Sequence, residues 1–139
     1  MKFRKAVFIV TYRKNPVEYL VLKRKLHWKG WEFPKGGVEK ENLIKAVKRE
    51  LFEETGLRAR KIRRFPIKGK FKYDKKTQEE RNFFGQSFTL FSAEVKNKKV
   101  VYDKLEHSTY KWLPFNKAIK ILTWPNQKRS LKIVNDSIN

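Results

Sequence analysis

Glu50, Glu53 and Glu54 stand three and four positions apart in the stretch "RELFEET". On a helix, those spacings bring the carboxylates into one arc of about 100°. Like charges one turn apart destabilise an isolated helix, and these lie towards the C-terminal end, where the macrodipole favours cations. Something positive has to offset them. One source is local: Arg49 can reach Glu53 at i+4 and Lys48 is close by, which would make this a solvated face laced with ion pairs. The other is a hard divalent cation, Mg²⁺ or Mn²⁺, which takes several carboxylate oxygens in a small volume. No histidine or cysteine stands nearby in the chain to favour a softer ion. Acids are scarce here, 14 against 35 basic residues, yet Glu39, Glu41, Glu50, Glu53 and Glu54 all fall between Pro34 and Leu57.

The flanking residues read as the scaffold for that cluster. Leu43, Ile44, Val47 and Leu51 share one helical face that should pack on a sheet. Asn42 suits the N-cap, and Gly56 suits the left-handed residue that ends a helix. Upstream, "KAVFIVTY" (Lys5 to Tyr12) is a buried strand, "RKNP" a turn, and "EYLVLKRK" (Glu18 to Lys25) its antiparallel partner. "WEF" (Trp31 to Phe33) is a short strand halted by Pro34, with a Gly36-Gly37 loop after it. Downstream come one or two strands in Arg58 to Tyr73, a polar loop over Asp74 to Asn82, and a strand over Phe83 to Val95. A last strand, Ser108 to Pro114, precedes two helices over Asn116 to Leu122 and Gln127 to Val134. Trp31, Phe33, Phe88 and Trp112 are assigned to the core. The order of elements predicts a mixed α/β sandwich.

The chain has 139 residues, the length of one domain. Its hydrophobic content of 40% argues against disorder despite a formal net charge of +21. That charge nominates polyanionic partners, nucleotides or RNA among them, but names no chemistry; a lysine-rich surface also serves solubility alone. No apolar run approaches the roughly 20 residues of a membrane span. The segment Met1 to Tyr12 alternates charged and apolar residues, unlike a signal peptide. With no cysteine, a cytoplasmic setting is the expectation.

Glu41, seven further residues, and then "RELFEETGL" (Arg49 to Leu57) resemble the Nudix box, G-x5-E-x7-R-E-U-x-E-E-x-G-U, at every fixed position from Glu41 onward. The one departure is that Gly36 stands four residues before Glu41 where the box has five. The resemblance implies one Nudix domain over residues 1–139, an α/β/α sandwich with a mixed central sheet. It further implies a hydrolase that splits phosphoanhydrides of nucleotide substrates with bound divalent metal. In that reading Glu50, Glu53 and Glu54 hold the metals with the Gly36 carbonyl. Arg49 orients a box glutamate, and Glu41 supports the ligands from behind. The short loop bears on where Gly36 and Lys35 point.

"FPKGG" and "EHSTYKWLPFNKAI" (Glu106 to Ile119) resemble the asymmetrical diadenosine tetraphosphate hydrolases within that superfamily. Glu106 then becomes an added ligand or general base, Lys35 a phosphate contact, and His107 a structural or substrate-contacting residue. Tyr73, Tyr110, Phe83 and Phe84 are candidate base platforms, the two tyrosines first, and His27 is a surface residue. "RELFEE" and "FFGQSF" also resemble bacterial RNA pyrophosphohydrolases, which keep RNA open as substrate, although those enzymes have Gln where Lys35 stands. A non-catalytic RNA-binding module on the same scaffold is the remaining alternative.

Overall fold

The computed structural model describes residues 2–138. A long strand, β1 (Phe3–Arg13), turns into β2 (Glu18–Arg24). Two short strands, β3 (Gly30–Glu32) and β4 (Lys35–Gly37), lead to helix α1 (Leu43–Thr55). Then follow β5 (Ala59–Lys72), a short helix α2 (Lys75–Arg81), β6 (Gly85–Val95) and β7 (His107–Leu113). Helices α3 (Phe115–Ile121) and α4 (Pro125–Ile138) complete the order.

The strands form one seven-stranded mixed sheet. β1 runs parallel to β6 along its length, from Phe3 opposite Gly85 to Tyr12 opposite Glu94. β6 in turn carries β5 as an antiparallel edge. On its other side β1 has two successive partners. Its end pairs with β2 at Tyr12–Tyr19 and Arg13–Glu18, while Ala6 to Phe8 pair with β4. Beyond the hairpin β2 leaves β1, pairing with β7 and, at its own end, with β3. The sheet therefore forks between β2 and β4.

The apolar run of β1 is buried on both faces because helices cover both. Val7 and Ile9 pack with Ala46, Val47 and Leu51 of α1. Ala6, Phe8 and Val10 pack with Ala118 of α3, Leu122 just after it, and Leu131 and Val134 of α4. The result is the α/β/α arrangement. Phe33 and Phe88 lie in the second layer as expected, and Phe88 stacks on Phe8 at 3.9 Å between ring centroids. Trp31 and Trp112 are only partly buried, each with a cation over its ring: Lys111 over Trp31 and Arg13 over Trp112.

α1 begins and ends where its sequence indicates. The Asn42 side chain accepts from the Lys45 N–H, and Gly56, at φ 71°, donates its N–H to the Phe52 carbonyl. Ile44 does not join the core; it stays 40% exposed, because the sheet under the first turn of α1 is left uncovered. Two segments differ from expectation. Lys35–Gly37 is a strand, held by pairing with β1 and not by its own weak propensity. Asp74 to Asn82 is not loop but a helix of about two turns: Asp74 caps it through the Thr77 N–H, and Asn82 closes it in the left-handed region. None of the residues of α2 is buried, so no apolar stripe announced it. No described helix is long and apolar enough to cross a membrane.

Candidate active site

The fork opens into a cleft of about 460 Å³. The C-terminal half of α1 brings Glu50, Glu53 and Glu54 to it, β4 brings Lys35 to Gly37, and the residue before β7 brings Glu106. Arg4, Arg24 and Arg81 line it as well, so cations rim an acidic floor.

Each carboxylate has a different environment. Glu54 is buried and accepts from the Lys35 backbone N–H at 3.0 Å. Burial above all, then the charges of Glu32, Glu106 and Glu50, push its carboxyl well above the usual carboxylate range, against the Lys35 hydrogen bond. Burial also raises Glu50, although Arg49 pulls the other way. Glu53 is exposed. Gly36 is required by close approach: a Cβ there would fall inside the Glu50 carboxylate.

Arg49 ties the box together. Its Nη1 donates to Glu50 at 2.8 Å and to Glu53 at 3.3 Å. Nε and Nη2 grip Glu41, and Nη2 also donates to the Gly37 carbonyl at 2.8 Å. The i,i+4 pair with Glu53 thus exists, but the shorter contacts go to Glu50, Glu41 and the β4 backbone. The guanidinium spans α1, β4 and the turn between them, which is how the short loop stays in register.

Behind the cleft lies a buried hub that the linear sequence does not display. Glu32, 1% exposed, accepts from Nη1 of Arg24 at 3.3 Å, faces Nζ of Lys35 at 3.8 Å, and bonds Nε2 of His107 at 2.8 Å. Burial alone would raise its carboxyl; Lys35, the His107 hydrogen bond and Arg24 outweigh that and hold it below its ordinary value. Arg24 also reaches Glu106 at 3.8 Å, and the Glu106 carbonyl accepts from the N–H groups of Lys25 and Leu26. Glu32 and His107 thereby lock the end of β3, just before Lys35, to the start of β7, just after Glu106.

Of the residues singled out in the sequence, Lys35, Gly36, Glu50, Glu53, Glu54 and Glu106 converge on the cleft, with Arg49 behind them. The aromatic candidates do so only in part. Phe83 lines the cleft, but Tyr73, Phe84 and Tyr110 do not. Tyr73 packs edge-on against Phe71 under Arg81, and its hydroxyl is buried without a hydrogen-bond partner. Phe84 packs against Phe3, and Tyr110 against Tyr102. Trp28, His27, Arg4 and Arg81 line the cleft instead. They come from three segments far apart in the chain, around positions 4, 27–28 and 81, so no local pattern announced them.

The donor set fits a hard divalent cation. Carboxylates of α1 and of the segment before β7 line the same cleft, and burial raises Glu54 and Glu50 within it. Histidine is nearer than the sequence suggests: a nitrogen of His107 lies within 4.8 Å of carboxylate oxygens of Glu54 and Glu106. Its Nε2 is engaged by Glu32, while its Nδ1 is buried without a hydrogen-bond partner.

Residues 2–134 match the NUDIX domain family. The 8-oxo-dGTP diphosphatase of Buchnera aphidicola subsp. Schizaphis graminum is 34% identical over 129 residues, which cover 91% of this chain and 88% of that protein. A NUDIX hydrolase of Listeria monocytogenes superposes with a TM-score of 0.81 at 23% identity, over 99% of this chain and 94% of the other. A binary complex of the C. elegans Ap4A hydrolase superposes with a TM-score of 0.79 at 23% identity, over 97% of each chain. At such identities the superpositions establish the shared fold. Nudix enzymes generally use divalent metals, in keeping with the carboxylates gathered at the fork. With the sequence match running through nearly the whole chain and the fold shared along its length, the protein belongs to the NUDIX family, as a diphosphohydrolase acting on phosphoanhydrides.

Proposed function

We propose that the protein hydrolyses a dinucleoside tetraphosphate, diadenosine tetraphosphate first, to ATP and AMP, with Mg²⁺ held by Glu50, Glu53, Glu54 and the Gly36 carbonyl and with Glu106 beside them as general base. The observation that carries this is the meeting of those carboxylates in one cleft whose rim is Arg4, Arg24, Lys35 and Arg81. When bound, the divalent ion neutralises phosphate oxygens and makes a coordinated water more acidic. The rim cations draw the polyphosphate in and orient it. Glu106, partly exposed and steadied by Arg24, takes the proton of the attacking water, whose oxygen joins the phosphorus as the anhydride oxygen leaves. Gly36 leaves room for Glu50 to face the substrate. Two aromatic walls, Trp28 and Phe83, give each nucleoside a surface to stack on. The likeness in fold to the C. elegans Ap4A hydrolase and the Lys35 that precedes the box support this substrate.

A nucleoside triphosphate is the second reading, favoured by the 34% identity to a protein named 8-oxo-dGTP diphosphatase. The test is a side-by-side assay of diadenosine tetraphosphate, 8-oxo-dGTP and 5′-triphosphorylated RNA with Mg²⁺, products resolved by ion exchange. The dinucleotide should give the highest kcat/KM and yield ATP plus AMP. A tenfold or greater preference for either of the others transfers the assignment to that substrate.

A further inference from the structure

A second groove, about 1380 Å³ in volume, lies beside the catalytic cleft and meets it at Arg4, Gly37 and Phe83, which line both. Phosphoanhydride hydrolysis makes no use of it. One wall is the edge strand β5, in a stretch where lysine and arginine recur and no acidic residue stands between Glu54 and Asp74. Cations kept only for solubility would be spread over both faces of such a strand. The register here sorts several to one side. Arg64, Lys68 and Lys70 pair with Phe91, Thr89 and Ser87, and Phe91 packs in the layer under α1. The three cations therefore share the α1 face of the sheet and line the groove. Lys5 of β1 stands across Ser87 from Lys70, so Lys5, Ser87 and Lys70 make one row over three strands.

The rest of the groove complements a nucleotide strand. Lys70 sits 5.0 Å above the ring of Phe3, and the exposed Ile44 forms part of the opposite wall. The Phe3 ring thus lies under the basic edge, with the apolar Ile44 across the groove from it. Lys68 and Lys70 are about 7 Å apart along the strand, a spacing that suits successive phosphates of an extended chain. The hydroxyls of Ser87 and Thr89 line the floor, where they can meet a ribose 2′-hydroxyl. Glu39 and Glu41 also line the groove, at its α1 side, and both pair with Arg49.

We propose that this groove binds single-stranded RNA, its phosphates along Arg64, Lys68 and Lys70 and its bases towards Ile44. The site is separate from the assignment of the small substrate and does not depend on it. Binding is measured by fluorescence anisotropy in metal-free buffer, with a labelled oligouridylate of about 12 nucleotides that lacks a 5′-phosphate. The Lys68→Glu/Lys70→Glu variant should bind roughly tenfold more weakly, with the salt slope reduced by about 0.7 for each lost phosphate contact. Its turnover of a small nucleotide should be unchanged. A Lys117→Glu/Lys120→Glu variant on α3 makes the same change in net charge and should bind as wild type does. Equal weakening in both variants would show attraction by the whole surface and overturn the site. Equal affinity for the matching deoxyoligonucleotide would overturn RNA as its ligand.

Discussion

Glu54 is 5% exposed and has three other carboxylates acting on it. Its folded form keeps a proton to higher pH than its unfolded form, so between the ordinary value of 4.5 and the raised one the folded state binds more protons. The stability from this group is full below 4.5 and lost as pH climbs through the raised value; Glu50 acts with the same sign. Glu54→Gln cannot ionise. In chelator-treated protein it should melt about 3–6 °C above wild type at pH 8 and together with it at pH 4. Saturating Mg²⁺ should reverse the order at pH 8 by stabilising wild type alone. The same variant should lose ~10²–10³-fold in kcat. Should Mg²⁺ stabilise both proteins equally, Glu54 is not a ligand. The Glu32 hub makes a different prediction. Glu32→Gln leaves Arg24 and Lys35 facing a neutral amide in a buried place, at a cost of about 3 kcal/mol. A urea titration should show a lower midpoint with an unchanged slope.

β4 shows what the sequence could and could not disclose about elements. α1 was legible because Leu43, Val47 and Leu51 keep a helical period between Asn42 and Gly56, both of which do what their chemistry favours. Lys35-Gly36-Gly37 read as loop because its strand character is lent by β1, a partner found only in three dimensions. α2 had its caps in plain view, Asp74 and Asn82, but no apolar face between them. The acids of the site were legible because one helix carries most of them; the rim was not, since Arg4, Arg24 and Arg81 meet only through the topology of the sheet. Of the aromatic candidates only Phe83 reaches the cleft; Tyr110 packs against Tyr102 and Tyr73 beside Phe71. Since β4 supplies clearance for α1, Gly36→Ala should push Glu50 aside with little loss of fold. We expect kcat to fall ~10²-fold with KM little changed and an unaltered far-UV circular dichroism spectrum. Wild-type kcat in that variant would mean that the position of Glu50 does not matter to the chemistry.

At the scale of the whole molecule, the net charge of +21 acts on ligand capture and on stability in opposite directions. Raising KCl from 50 to 500 mM should lower kcat/KM for a polyphosphate substrate by roughly tenfold, mostly through association. It should raise the melting temperature, because screening relieves repulsion among the lysines and arginines. A salt-independent kcat/KM would show that the field plays no part in capture. The β1–β6 ladder has a further consequence, and it concerns time. It joins residues about 80 positions apart, such as Phe3 and Gly85. During synthesis the first strand emerges well before its parallel neighbour and has only β2 and β4 to lie against. Closing so long a loop is slow. The apolar run from Ala6 to Val10 therefore waits, uncovered on one edge, until β6 arrives, and that interval is when a nascent chain of this protein is most open to chaperones or to self-association.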